Sequence, residues 1–293
     1  MTRPPNDERS EMAAAEERRS RALEAAVDVA GTLGVVVEGS TILADSNNTI
    51  VWLAPAPVVA KVGTSHLRDA ELESLTRELA VATHLSRLGA PVVAPAANLP
   101  AGPHRWRDLM LTLWQYVEPI SEVVLEPAEA ASVLSAVHDA LAAFPGSLPP
   151  FDLELGDARR LLLPVRSPIL PDSDRRFLLS IIDELEESLA GRVTAARPLH
   201  GSPHTGNRLR TTEGLLLLDF ETACLGPLEW DLAALDDAAV HLFVDVDLEL
   251  VALLRRMRSA CVAAKCWVAP DRATEVREAA RIHLRLLRGE PLD

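Results

Sequence analysis

Lysine is nearly absent from this 293-residue chain: of its 29 basic residues, only Lys61 and Lys265 are not arginine. Aromatic residues are scarce as well, at 4%, with a single tyrosine. The three cysteines, Cys224, Cys261 and Cys266, form no even set and no C-x-x-C pair, which excludes a disulfide framework and a zinc ribbon and leaves buried thiols as the expectation. No apolar run approaches the roughly 20 residues of a membrane-spanning helix; the best candidates, 161–165 and 215–218, are soon broken by charge, Pro or Gly. The first 21 residues are dense in Arg and Glu and lack the apolar core of a signal peptide, so a cytoplasmic location and no membrane partner are expected. A formal charge of -14 suits no protein that neutralises phosphate backbones, and nucleic acid is not an expected partner.

What is present is enough apolar material, 48% of residues, for one large domain or two lobes around real cores. Where arginine has replaced lysine almost everywhere, a surviving lysine is informative. Lys61 sits near the end of the apolar run 58–62, where a compact ammonium does what a planar guanidinium does not.

Residues 1–21 read as a loose charged tail and the start of a first helix, whose pattern runs over 10–29 before Gly31 and Gly34 end it. Short apolar runs at 35–37, 41–43, 49–53 and 58–62 alternate with turn signals, one of them Ser46, Asn47 and Asn48, and predict an antiparallel sheet. Helical spacing over 67–88 includes Glu78, and strand-like runs follow at 92–93 and 109–117. Beyond Pro119 the pattern is mostly helical, over 127–143, 174–189, 228–238, 248–264 and 271–287. The expected class is α+β, with a sheet-rich N-terminal lobe over 22–115 and a helical C-terminal lobe over 116–293.

The segment 199–233 holds the chemistry. It opens with His200-Gly201-Ser202-Pro203-His204-Thr205-Gly206-Asn207, turns, and enters the apolar strand 215–218, which delivers Asp219-Phe220-Glu221. A carboxylate at the end of a buried strand, 12 residues after an Asn in a Gly-containing loop, suits a hard divalent cation held through amide and carboxylate oxygens. Magnesium, its shell completed by nucleotide phosphates, is the natural occupant. A zinc site on His200, His204 and Asp219 fits less well, because Gly201, Pro203 and Gly206 make a loop of the segment and remove the helical spacing that would aim both rings at one ion. Nor is Ser202 a nucleophile on a G-x-S-x-G elbow, since Gly201 precedes it directly and no strand leads into it as that motif requires.

The order His-x-Ser-x-x-x-x-Asn, strand, Asp-Phe resembles the catalytic loop and metal-binding Asp of protein kinases, in the H-G-D-x-x-x-x-N form of the aminoglycoside phosphotransferase and choline kinase-like families. Gly226-Pro227-Leu228-Glu229-Trp230-Asp231-Leu232-Ala233 is similar to the segment those families place after the metal site, and Lys61, Glu78 and the connector Leu113-Trp114-Gln115-Tyr116-Val117-Glu118 fall in the same order. The resemblance covers about residues 22–290 and implies a bilobal protein kinase-like fold with ATP or GTP and Mg2+ in the cleft. It implies that Lys61 contacts the phosphates and is held by Glu78, that Asn207 and Asp219 bind the metal, and that Ser46, Asn47 and Asn48 cover the phosphates. Gln115, Tyr116 and Val117 would offer backbone hydrogen bonds to the base. His200 would brace the loop.

One departure stands out: Ser202 occupies the place of the family's Asp, which accepts the proton of the acceptor hydroxyl. General-base catalysis is worth about 100- to 10,000-fold, whereas phosphoryl transfer leans mostly on positioning and charge neutralisation. Two readings follow: a phosphotransferase acting on a small-molecule hydroxyl, with His204 or Glu221 as late proton acceptor, or a catalytically impaired homologue that binds nucleotide or ligand and acts through conformation or partners. Glu221, Glu229, Asp236 and Asp237 would either receive a cationic acceptor, such as an aminoglycoside or an amino alcohol, or form a solvated helix face. The resemblance names neither the acceptor, nor ATP over GTP, nor the oligomeric state.

Overall fold

Alternation after Asn48 puts Thr49, Val51 and Leu53 on one buried face of a strand, the second of five in an antiparallel sheet. The computed structural model describes residues 5–46, 48–64, 71–120, 126–193, 195–268 and 274–291; Asn47, one of the expected phosphate-turn residues, lies outside them. The strands are β1 (Val37–Asp45), β2 (Asn48–Pro55), β3 (Val58–Gly63), β4 (His104–Trp106) and β5 (Leu109–Gln115), in the order β1-β2-β3-β5-β4. The runs 35–37 and 41–43, expected as separate strands, merge into β1, which passes through Gly39 with a shift of register instead of turning. β3 is buried along its whole length, so Lys61 interrupts an otherwise apolar strand.

Helix α1 (Pro5–Thr32) lies across the sheet, its small residues Ala22, Ala25, Ala26 and Ala30 meeting Val51, Leu53, Val62 and Leu111. It starts at Pro5, earlier than expected, so the described part of the expected loose tail is helix; its Ala, Glu and Arg content favours that state. Helix α2 (Glu71–Arg87) carries Glu78 under the sheet. The run 92–93 contributes only an isolated bridge from Val92 to Leu217, and β4 pairs only with β5, at the edge.

The C-terminal lobe holds α3 (Pro127–Leu141), α4 (Leu153–Leu161), α5 (Asp172–Leu189), α6 (Leu228–Leu232), α7 (Asp237–Val240), α8 (Leu248–Cys266) and α9 (Thr274–Arg288). The single helix expected over 228–238 is two, because the Asp236 carboxylate accepts the Ala239 N–H at 2.8 Å and caps a new start. Two short antiparallel pairs complete the lobe: β6 (Arg197–Leu199) with β9 (Cys224–Gly226), and β7 (Arg208–Thr211) with β8 (Gly214–Leu217). Leu155, Leu178, Ile182, Leu254 and Met257 centre one core between α4, α5, α8 and α9. Another core joins the lobes, with Leu79, Leu85 and Trp114 from one side and Leu134, Val137, Leu217 and Phe220 from the other. The architecture is thus α+β and bilobal. Among the described residues no helix is long and apolar enough to cross a membrane.

Candidate active site

The β7–β8 hairpin explains the spacing between Asn207 and Asp219. Arg208 pairs with Leu217, and the next N–H, that of Leu218, donates to the Asn207 carbonyl at 3.1 Å, so the chain leaving β8 returns to the residue before β7. Asp219 then turns aside with φ 68°, a left-handed conformation that non-glycine residues hold only under constraint. Before β7 the loop is tied down at several points. Arg208 donates twice to the Pro203 carbonyl, at 3.0 and 2.8 Å, and the Asn207 Nδ2 donates to the Ser202 carbonyl at 2.9 Å, which leaves the Asn207 Oδ1 for the cleft.

Asp231, in α6 and fully buried, holds the loop from behind. It accepts the backbone N–H groups of His200 (2.9 Å) and Gly201 (2.8 Å), and the Nε2 of His138 from α3 lies 2.8 Å away. The His200 Nδ1 accepts the Ser202 N–H and its Nε2 donates to the Leu218 carbonyl, so the ring links the loop to the chain leaving β8. Burial depresses the His200 pKa to about 4, leaving it neutral at pH 7. Arg258 from α8 closes the rear, donating to the Gly201 and Trp230 carbonyls with its guanidinium over the Trp230 ring.

Lys61 meets three carboxylates: Glu78 at 2.8 Å, Asp219 at 3.0 Å and Glu221 at 2.5 Å. Burial pulls its pKa down, but the charges of Glu78, Asp219 and Glu221 outweigh that and hold it well above the ordinary lysine value. Glu78, wholly enclosed, is pushed up to about 8 by desolvation against the pull of Lys61, whereas for Asp219 the ammonium outweighs burial and the pKa is lowered. The three carboxylates offer oxygens within 4.8 Å of one another. Glu221 also accepts from the Asn48 Nδ2 at 2.9 Å, bridging the β1–β2 turn to the C-terminal lobe, and its carbonyl takes the Arg77 Nη2 at 2.5 Å.

Two compartments share this centre. One, of about 520 Å³, is lined by Ser46, Asn48, Lys61, Glu78 and the connector residues Gln115, Tyr116 and Val117. The other, of about 1040 Å³, opens past Ser202 towards α8 and α9. Asn48, His204, Asn207 and Asp219 line both. In the connector the N–H groups of Gln115 and Tyr116 already donate to the Ala94 and Pro57 carbonyls, so of the three only the Val117 N–H has no backbone partner among the described residues. Trp52 stacks on Tyr116 with ring centroids 4.4 Å apart.

Every described site residue expected from the sequence therefore lines one of these compartments or, in the case of His200, braces the loop between them. The Ser202 hydroxyl makes no hydrogen bond among the described residues. The His204 Nδ1 accepts the Gly206 N–H at 3.0 Å, which places the ring proton on Nε2, and burial lowers its pKa, so this ring turns an N–H rather than a lone pair outward. Of the acidic residues considered for a cationic acceptor, Asp236 caps α7, Asp237 pairs with Arg255 at 2.6 Å, and Glu229 accepts the Asp247 N–H at 3.2 Å; only Glu221 faces the cleft. Sequence reasoning missed Asp231, His138, Arg77 and Arg258. Asp231 had a signal in the Gly-Pro-x-x-x-Asp run; the other three have none.

No curated protein sequence matches the chain. Solved structures do. Amicoumacin kinase hAmiN in complex with AMP-PNP, Ca2+ and Ami superposes with a TM-score of 0.64 at 13% identity, over 87% of this chain and 91% of that one. Choline kinase LicA from Streptococcus pneumoniae gives 0.63 at 18%, over 89% and 96%, and a spectinomycin phosphotransferase in complex with ADP and its antibiotic gives 0.62 at 12%, over 89% and 96%. At these identities the likeness is one of fold, the bilobal kinase-like architecture. The model of the phosphotransferase enzyme family matches residues 41–285, from within β1 to α9, and the chain belongs to that family.

Proposed function

We propose that the chain transfers the terminal phosphoryl group of ATP or GTP, with Mg2+, to a hydroxyl of a small molecule, and that it works in the cytoplasm. The observation that carries this is the meeting of two compartments at Asn48, His204, Asn207 and Asp219, with Lys61 on one side and Ser202 on the other. The donor set supports the metal: the Asn207 Oδ1 and the Asp219 carboxylate are hard oxygen ligands lining one space. Magnesium bound there would neutralise charge on the phosphates. Lys61 would exchange Glu221 for a phosphate oxygen while keeping Glu78, and the Val117 N–H would meet the base. Neighbours of the same fold in complex with AMP-PNP and ADP support nucleotide as the donor.

The acceptor hydroxyl would lie against Ser202, whose hydroxyl orients it and takes no proton near neutral pH. With a loose transition state the proton leaves late, and Glu221 is the remaining pocket carboxylate within reach of Lys61. The absence of a carboxylate at position 202 and the engaged lone pair of His204 favour a second reading, a homologue slowed in catalysis that acts by binding.

Thermal unfolding with ATP or GTP, each with and without magnesium, tests the nucleotide site. Ligand at 100 times its dissociation constant adds about 2.7 kcal/mol to stability. A magnesium-dependent rise that Asp219→Ala removes is expected; no rise with either nucleotide would sink the phosphotransferase reading.

A further inference from the structure

The larger compartment has a charge pattern opposite to that of the acidic chain around it. Most charged side chains in its lining have an ionic partner: Lys265 holds Glu154 at 2.6 Å, Arg255 holds Asp237, Arg256 holds Glu184, Asp157 is paired with Arg160, and Asp219 and Glu221 share Lys61. Among the described residues two are left over, and both are guanidiniums, Arg77 and Arg258. Their hydrogen bonds go only to neutral carbonyls, Arg77 to Glu221 and Arg258 to Gly201 and Trp230. Asp231, the carboxylate behind Arg258, is taken up by His138 and two loop N–H groups.

The two grips are close together. Gly201 packs so tightly on Thr222, the residue after Glu221, that a Cβ on it would lie 1.8 Å from the Thr222 carbonyl oxygen, so both arginines are anchored on one pair of touching segments. The donors there are unfilled. The Arg77 Nε and the Thr222 Oγ1 are buried with no hydrogen-bond partner, and the Nη1 atoms of both arginines make none among the described residues. Burial lowers both arginine pKa values and outweighs the carboxylates that act on them, Glu221, Glu73 and Glu154 on Arg77, and Asp231 and Glu154 on Arg258. Two guanidiniums that line one partly dry pocket and are in no ion pair among the described residues can share an anion, and guanidinium forks match carboxylate and phosphate oxygens.

We propose that Arg77 and Arg258 bind an oxyanion carried by the acceptor, so that the substrate is an anionic hydroxy compound, a carboxylate or a phosphate monoester, and not a cationic amine. Arg258 holds the carbonyl of the residue before Ser202, which places the anion a few bonds from the hydroxyl facing Ser202. The acceptor role rests on the phosphotransferase reading; the oxyanion site does not.

Selenate is the direct probe, soaked into crystals of the full chain and titrated in thermal unfolding. An anomalous peak between Arg77 and Arg258 is expected, with a saturable stabilisation that Arg77→Gln weakens about 10-fold or more, that Arg77→Lys partly restores and that Arg159→Gln, at a surface arginine paired with Asp183 and Glu186, leaves. Arg77 is the residue to change because Arg258 also braces the loop. A peak confined to Lys61, no peak at the guanidiniums, or a response that survives Arg77→Gln would overturn the proposal. So would loss of the magnesium–ATP stabilisation in Arg77→Gln, which would assign that guanidinium to the nucleotide. Gluconate and glucose 6-phosphate, set against sorbitol and glucosamine, separate carboxylate from phosphate ester; tighter binding of glucosamine than of either anion also overturns it. A selenate site that persists in a chain without a nucleotide response would sink the phosphotransferase reading alone.

Discussion

At Gly201 the backbone has φ 90°, and its α-hydrogens face the Thr222 carbonyl where a Cβ has no room. Gly201→Ala should lower stability by about 2–4 kcal/mol, through a strained φ together with an overpacked contact, and should displace Ser202; a urea midpoint equal to that of the native chain would refute this. One residue on, Ser202→Asp would put a carboxylate where the sequence resemblance implies the proton-accepting Asp and should raise ADP release, with water as acceptor, by about 100-fold; an unchanged rate would mean that catalysis here does not use that position. His200 gives a pH signature. Its folded pKa, about 4, lies below its unfolded value of 6.5, so between these two the unfolded chain binds the extra proton and stability falls as pH falls. The contribution is fully present above pH 6.5 and amounts to at most about 3 kcal/mol across the window. His200→Gln should flatten that limb in urea midpoints taken along it. Lys61, Glu78, Asn207 and Asp219 are legible in the sequence because each stands at its place in an ordered series of motifs. His138 and Asp231, 93 residues apart, form a pair that no local spacing announces, and Arg77 is one arginine among many.

The elements that were legible are those whose apolar period is long enough to read. β2, α2, α3 and α5 bury a regular face and β3 is buried throughout as an apolar run, and their bounds fall within a few residues of the sequence pattern. Helix α4 has nine residues with only Leu155, Ala158 and Leu161 buried, and β4 has three residues in all, too short for a period to show. The length of α1 was underestimated because an Arg- and Glu-rich helix resembles a solvated tail until its partners are known. One of those partners lies beside the β1–β2 turn: Arg18 meets Asp45 at 2.7 Å and Arg19 meets it at 2.9 Å, while the Thr49 hydroxyl donates to the same carboxylate at 2.9 Å. Helix α1 thus holds the turn that begins at Ser46. Asp45→Asn should loosen it and weaken magnesium–ATP binding by about 1 kcal/mol, roughly fivefold; calorimetry giving the native affinity would show that the helix has no hold on the turn.

Across the whole molecule the lobes share a core and do not stand as separate units. Leu79, Leu85 and Trp114 from the N-terminal side pack in one cluster with Leu134, Val137 and Phe220 from the other. Leu134→Ala, at a position only 1% exposed, should cost about 2–5 kcal/mol and lower the unfolding temperature of both lobes together, in a single transition with equal calorimetric and van't Hoff enthalpies. Two separate transitions would contradict this. The connector passes beside that core, and there the chain's one tyrosine, Tyr116, lies flat against Trp52 of the sheet, with 11° between the rings. In optical terms the molecule has a built-in donor and acceptor across its joint: tyrosine emission is silent while the rings stack and returns when they part. Because Tyr116 also lines the smaller compartment, a ligand lodged against its ring would alter the same signal that follows unfolding of the joint.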